Sequence, residues 1–473
     1  MAPPRWRWRS DFDKFVVTAN FQRRGWTRWN SNSDHDWNVY WCNVHTCREI
    51  FSPENGIRLG GHQFINHFPN HYELTRKDLL VKNVKRYRKE CLKKDLERDR
   101  GGYPSLATNA SNETHKTQNQ IDFLPPTFTL PNEYALFAEA FGRDFEFGDK
   151  KREDDDRVLR DGNTVNDTKD TKQLRGSLRS ANTNGQKSQK SKNNSTWIVK
   201  PVGKAQGKGI FLINSLAQVK KWAHVANCGG VSAGIKEEKY VVSKYLDDPL
   251  LIGGKKFDLR MYVVVTNFRP LVAYVSRLGF ARFCVTKYTS TSSKDGDLED
   301  LDAHLTNVAV QKKNADYNSL HGGKWGLDDL RLFLESQRGF EATDALFKEI
   351  DQVILKSLRS VQHVIHNSPR CFELYGYDLL IDEELKPWLI EVNASPSLSA
   401  TTEDDRDMKL RVIRNALLVA VPDETSETKY ALGKNAKASR SVGCLDLLVD
   451  DSIDVALKGN RNAAKGKEPF VKR

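Results

Sequence analysis

Two apolar, β-prone runs, 375–382 (YGYDLLID) and 387–393 (PWLIEVN), lie only four residues apart, across the polar turn Glu383–Lys386. So short a connection leaves them essentially one arrangement, an antiparallel hairpin. Pairing Asp382 with Pro387 sets Leu380 opposite Leu389 and Asp378 opposite Glu391. Asn393, two residues beyond Glu391, points to the same face. Two carboxylates directly opposite each other repel and destabilise a bare sheet. A divalent cation turns that repulsion into a site, because Asp378, Glu391 and Asn393 offer the hard oxygen donors that Mg²⁺ takes, with phosphates and water completing its shell. The alternative is a solvated hairpin face with incidental acids.

Other segments supply partners for such a cation. The run WIVKPVGKAQGKGIFLI (197–213) passes from a strand through a Gly/Lys loop into a second strand. Glycines let backbone N–H groups approach phosphate oxygens, and lysines offset their charge. The spacing is neither that of a Walker A loop nor that of a dinucleotide fingerprint. A flexible loop between antiparallel strands that folds over phosphates fits it better than an ordinary Lys/Gly turn. In KKFDLRMYVVV (255–265), Lys256, Asp258 and Arg260 alternate with Phe257, Leu259 and Met261, so three charges share one face. The strand continues into Val263–Val265, which suggests a central position where charges need partners. Ser243–Leu246 just upstream is placed to offer backbone groups to an adenine. Arg282, the polar cluster His304–Asn307, Lys324 and Lys409 are further candidates, each readable also as an ordinary structural or surface residue.

The chain of 473 residues is long enough for two or three domains. No apolar run is long enough to cross a bilayer, and MAPPRWRWRSDF lacks the apolar core of a signal peptide, so a cytosolic location is expected. The seven cysteines are scattered; Cys42 and Cys47 look too isolated for a zinc site and read as free thiols. A net charge of +12 suits an acidic protein, a nucleic acid or an anionic membrane. The basic run 82–100 reads as a helix, either solvated or facing a partner. Composition divides the chain into an aromatic N-terminal domain (12–90), a polar linker (91–122), a short apolar stretch (123–142), a disordered insert (143–195), a dense folded region (196–421) and a disordered tail (422–473).

Taken together, WIVKPVGKAQGKGIFLI, PLLIGGKKFDLRMYV, HLTNVAVQK, YGYDLLID and PWLIEVNASPSL resemble the tubulin–tyrosine ligase-like family. HFPNHYELTRKDLLVKNVKRYRK adds a similarity to the branch that supplies catalytic subunits of tubulin polyglutamylases. The resemblance implies an α+β protein of ATP-grasp fold, with mixed and antiparallel sheets, flanking helices and a small preceding N-terminal domain; it divides the folded residues after the linker into a central domain (123–142 and 196–260) and a C-terminal domain (261–421). It implies ATP held by Lys200, Gln206, Gly207, Ser243, Lys244, Tyr245, Leu246, Lys256, Phe257, Asp258, Thr306 and Asn307, and Mg²⁺ on Asp378, Glu391 and Asn393. It implies free L-glutamate gripped by Arg282, Lys324 and Lys409, and chemistry assisted by Arg282, Lys256, Arg260 and His304. Many relatives carry arginine where this chain has Gln206. The implied partners are tubulin, through its acidic tails, and further subunits of a polyglutamylase complex, with no role for membrane or nucleic acid. The implied locations are cytoplasm, cytoskeleton, cilium or flagellum and basal body. The alternatives are a glycine or tyrosine ligase of the same fold and an inactive microtubule-binding module.

Overall fold

The computed structural model describes residues 6–30, 36–101, 122–143, 195–219, 239–291, 297–318, 323–400, 402–421 and 441–453. Nearly all of the expected insert, and most of the linker and tail, lie outside them. Among the described residues no helix is long and apolar enough to cross a membrane.

Three sheets organise the molecule. The first holds the short parallel strands Arg7–Ser10, Thr27–Arg28, Val39–Trp41 and Phe64–Ile65. It starts at Arg7, ahead of the expected boundary at 12, because Trp8 is needed to close the aromatic core with Phe21 and Trp26. That core is shared with Ile413, Ala416 and Leu417 of the helix Glu403–Ala420, so the N-terminal unit is buried against the end of the fold. The helix Lys77–Gly101 then leads away from it.

The second sheet is antiparallel, in the order Thr127–Leu130, Tyr240–Lys244, Trp197–Pro201, Phe211–Ile213. One face buries Trp197, Val199 and Val242 against Phe137 and Phe141. The Gly/Lys loop joins Trp197–Pro201 to its antiparallel partner Phe211–Ile213, as expected.

The third sheet has eight strands and a continuous path Pro387–Asn393, Glu373–Ile381, Lys255–Phe268, Leu271–Phe283, Leu445–Asp450, Ser441–Val442. Its central strand, Lys255–Phe268, is buried on both faces. Leu259, Met261, Val263 and Val265 face the helices Leu327–Arg338 and Phe340–Val361, while Tyr262 and Val264 face the core beneath Glu403–Ala420. The expected boundary at 260 falls inside this strand, which runs unbroken from Lys255 to Phe268. A second correction concerns the tail. Residues 441–450 are strands rather than disordered chain, and Leu445 is fully buried beside Leu271–Phe283. Such a short apolar run inside polar sequence is stable only because an existing sheet edge receives it.

The hairpin forms with Asp378 opposite Glu391 and Gly376 opposite Asn393. Nearer the turn the register differs from expectation: Leu379 pairs with Leu389, Leu380 with Trp388 and Ile381 with Pro387. The irregularity lies between Asp378 and Leu379, where Ile390 is the extra residue of a bulge. In a regular strand Leu389 and Glu391 would share a face. The bulge lets Leu389 enter the main core while Glu391 faces the site. Asp382 leaves the ladder and caps the turn, its carboxylate accepting from the backbone N–H of Glu384 and Lys386.

Candidate active site

A cleft of about 980 Å³, open to solvent, lies between the second and third sheets. Its lining brings together most of the residues expected to hold a nucleotide: Lys200, Gln206, Gly207, Ser243, Lys244, Tyr245, Leu246, Lys256, Asp258, Thr306 and Asn307. Asp378, Glu391 and His304 line the same cleft. Phe257 does not; it points to the opposite face and packs on Phe283, as strand alternation requires. Ile198, Leu124 and Leu389 add an apolar wall, which the polar motifs did not announce.

The Gly/Lys loop closes against the segment after His304. Gly207 has φ +76°, and a Cβ there would sit 2.9 Å from Val310, so only glycine fits both the backbone and the gap. Gln206 itself adopts φ 62°, unusual for a residue with a side chain. The backbone N–H groups of Lys244 and Tyr245 already donate to Pro126 and Thr196. They therefore hold the sheet together, and the expected adenine contact has to come from other atoms of 243–246.

Of the six lysines that line the cleft, Lys200 and Lys256 are the two whose charge burial disfavours. Burial lowers Lys200 to about 8, against the raising pull of Glu391, and lowers Lys256 to about 8 as well, against Cys284. Lys256 Nζ donates to the Tyr245 hydroxyl at 2.8 Å. That hydroxyl bonds His304 Nδ1 at 2.8 Å, and His304 Nε2 bonds the carbonyl of Asp297 at 2.9 Å. Burial lowers the His304 pKa, so the ring is neutral, accepting from Tyr245 and donating to Asp297. With both nitrogens engaged, His304 positions Lys256 through Tyr245 and has no ring nitrogen left for a reacting group.

The floor of the site is a buried charge cluster. Arg260 donates to Asp378 from Nε at 2.5 Å and from Nη2 at 3.0 Å. Arg282 bonds both oxygens of Asp258 and reaches Asp378 Oδ2 at 2.9 Å. Burial alone would raise Asp378; the two guanidiniums overcome it and hold its carboxyl far below the usual range. Gly376 makes this packing possible, since a Cβ there would lie 2.8 Å from Pro396 and 3.4 Å from Arg260.

Asn393 Nδ2 sits 3.3 Å from Glu391 Oε1 and 3.5 Å from Asp378 Oδ2, so the three expected metal ligands are together. A turn of the amide presents its oxygen to the same point. Each carboxylate oxygen can accept more than one partner, so the arginines leave Asp378 able to coordinate. The donor set is all hard oxygen and fits Mg²⁺.

The residues expected to hold the incoming amino acid adjoin this floor. Lys324 pairs in register with Arg282 on the neighbouring strand. Lys324 and Lys409 converge on Asp405, each Nζ 2.9 Å from a carboxylate oxygen. Burial lowers Lys409, while Asp405, which burial would raise, is lowered by the two lysines. All three cations are thus assembled but internally paired.

Lys77 is a site residue that sequence reading missed. It opens the helix Lys77–Gly101, lines the cleft, donates to the carbonyl of Lys204 at 3.2 Å and stands 3.7 Å from Glu391 Oε2. Its only sequence signal is a lysine at a helix start, which normally reads as surface charge.

The family model described as "Tubulin-tyrosine ligase family" matches residues 56–429. The chain is 42% identical over 452 residues to a Tetrahymena thermophila protein named "Probable alpha-tubulin polyglutamylase Ttll1", covering 96% of this chain and 94% of that one. It is 37% identical over 421 residues to the Bos taurus "Probable tubulin polyglutamylase TTLL9", covering 84% and 75%. It is 32% identical over 403 residues to the Homo sapiens "Tubulin polyglutamylase TTLL5", covering 82% of this chain but 24% of that protein. With these matches along most of its length, the chain belongs to the tubulin-tyrosine ligase family.

Proposed function

We propose that this protein is an ATP-dependent tubulin polyglutamylase of ATP-grasp fold, joining free L-glutamate to glutamate side chains in tubulin C-terminal tails. The observation that carries the reading is the single cleft in which Lys200, Lys256, Asp378 and Glu391 meet beside the Arg282/Lys324/Lys409 cluster. The polyglutamylase names of relatives at 37–42% identity support the substrate. ATP with Mg²⁺ would supply the phosphoryl group that turns a carboxylate into an acyl-phosphate, which an amine can attack.

The chain's own work is positioning and charge. Lys200, Lys256 and Lys77 offset phosphate charge, and Gln206–Gly207 closes over it. Asp378, Glu391 and Asn393 hold the cation. Arg260 and Arg282 fix Asp378 before any ligand arrives, so little reorganisation remains at the moment of reaction. Arg282, Lys324 and Lys409 suit a glutamate side-chain carboxylate better than glycine, which has none to grip. Reaching it requires an exchange of partners, since Asp258 and Asp405 now occupy those cations.

The reading divides the molecule into an N-terminal unit, a central unit around the 197–213 loop and a C-terminal unit from 251 onward. It places the protein with the cytoskeleton, its +12 charge drawn to acidic tails, and includes partner subunits. Mass spectrometry of tubulin tails after incubation with the protein, ATP, Mg²⁺ and labelled amino acids offered singly tests it. Glutamate is expected to be added; addition of glycine or tyrosine instead would overturn it.

A further inference from the structure

A second cluster of ligand-type side chains lies away from the cleft, where the N-terminal unit meets the third sheet. His67, His71 and Glu373 are buried, and one ligand atom from each lies within 4.8 Å of the others. Cys47, fully buried on the helix Val44–Ile50, donates its thiol to the carbonyl of Phe68 at 3.8 Å, the same carbonyl that His71 Nδ1 bonds at 3.0 Å. The four groups arrive from three separate places in the chain: that helix, the turn 67–71 and the strand Glu373–Ile381.

Sequence spacing and outer contacts are those of a built site. Cys42 and Cys47 are separated by four residues and His67 and His71 by three, with nineteen between the pairs. Structural zinc sites use a C-x₂₋₄-C…H-x₃₋₅-H spacing; here Glu373, not Cys42, stands with the two histidines. His71 Nδ1 donates to the Phe68 carbonyl at 3.0 Å, fixing the ring so that Nε2 faces inward. Glu373 Oε2 accepts from the Phe68 N–H at 3.2 Å and the Tyr375 hydroxyl at 3.0 Å. Oε1 is left to His67 Nδ1 at 2.8 Å. Among the described residues no lysine or arginine pairs with Glu373, whose side chain is fully buried. A buried carboxylate of this kind calls for a positive partner.

We propose that His67, His71, Glu373 and Cys47 form a structural Zn²⁺ site that clamps the N-terminal unit onto the third sheet. Bond lengths of about 2.0–2.3 Å put tetrahedral ligands roughly 3.3–3.7 Å apart, a contraction within reach of rotamer adjustment. Binding releases the Cys47 thiol proton and leaves Glu373 as a carboxylate. The site is independent of the Asp378/Glu391/Asn393 set, which is all oxygen and suits a harder ion.

The test uses the full chain, stripped by chelation and held in excess Mg²⁺. One equivalent of Zn²⁺ is expected to survive gel filtration, read by elemental analysis, and to raise Tm. Co²⁺ in its place is expected to give intense tetrahedral d–d bands and a thiolate-to-cobalt charge-transfer band. Cys47→Ser should lose that band and weaken zinc binding at least about tenfold, while Glu391→Gln should keep both. If Cys47→Ser does not fold, judged by circular dichroism, the cobalt spectrum of the unaltered protein decides alone. No retained zinc, an octahedral cobalt spectrum, or zinc lost in Glu391→Gln but kept in Cys47→Ser would each overturn the assignment.

Discussion

Removing Arg282 should unfold more than it disarms. In the structure both oxygens of Asp258 are bonded by Arg282, and both residues are buried. Arg282→Met therefore leaves a buried carboxylate without its partner, a change that costs about 3–5 kcal/mol in comparable pairs. Asp378 suffers less, because Arg260 still holds both its oxygens. At roughly 2–4 °C per kcal/mol for folding units of 150–250 residues, Tm should fall by several degrees. The double variant Arg282→Met/Asp258→Asn removes the stranded charge and should recover most of that loss, a coupling that a double-mutant cycle measures directly. In steady-state assays of the single variant, the KM for glutamate should rise much more than that for ATP. A single variant as stable as the parent, a double variant no better than the single, or equal effects on both substrates would each refute this account of Arg282.

Three further outcomes are expected. Lys77→Met should weaken ATP binding by roughly 10- to 150-fold, the equivalent of one charge-assisted hydrogen bond; unchanged affinity by calorimetry would remove Lys77 from the site. Gly376→Ala should cost about 1–3 kcal/mol through overpacking and should lower activity by displacing Arg260; a neutral result in both denaturation and turnover would contradict the contact with Pro396. Lys200 and Lys256 sit at about 8, below their ordinary 10.5, chiefly through burial. The unfolded chain therefore holds more protons across that window, and their contribution to stability rises as pH climbs from about 8 toward 10.5. Phosphate needs their charged forms, so ATP affinity should fall over the same range, and a flat affinity profile would refute the role of both lysines.

What the sequence made legible follows from cost. Opposed carboxylates at 378 and 391, and charges at 256, 258 and 260 on a strand that turns fully apolar, are expensive unless partnered, so they stand out. The parts that did not stand out are cheap in sequence terms. Lys77 reads as a surface lysine, Asp405 as one member of an acidic helix start, and Leu445–Asp450 as six residues of mixed polarity in a polar stretch. The bulge at Ile390 is set by the competition between Leu389 for the core and Glu391 for the site, which a strict alternation rule cannot express. His304 was visible as a polar residue in a polar cluster, but its supporting position between Tyr245 and Asp297 emerges only from tertiary contacts.

The shared core at the two ends of the fold bears on how the protein is made. Trp8, Val17 and Phe21 are buried with Ile413 and Leu417, and Asn20 donates to the carbonyl of Leu410. A ribosome adding ~5–20 residues per second delivers the second set roughly 20–80 s after the first. For that time the aromatic N-terminal sheet is in the cell without its cover, exposing Trp and Phe side chains. The nascent chain is then a natural client for a holding chaperone, released only when the helix Glu403–Ala420 arrives to take its place.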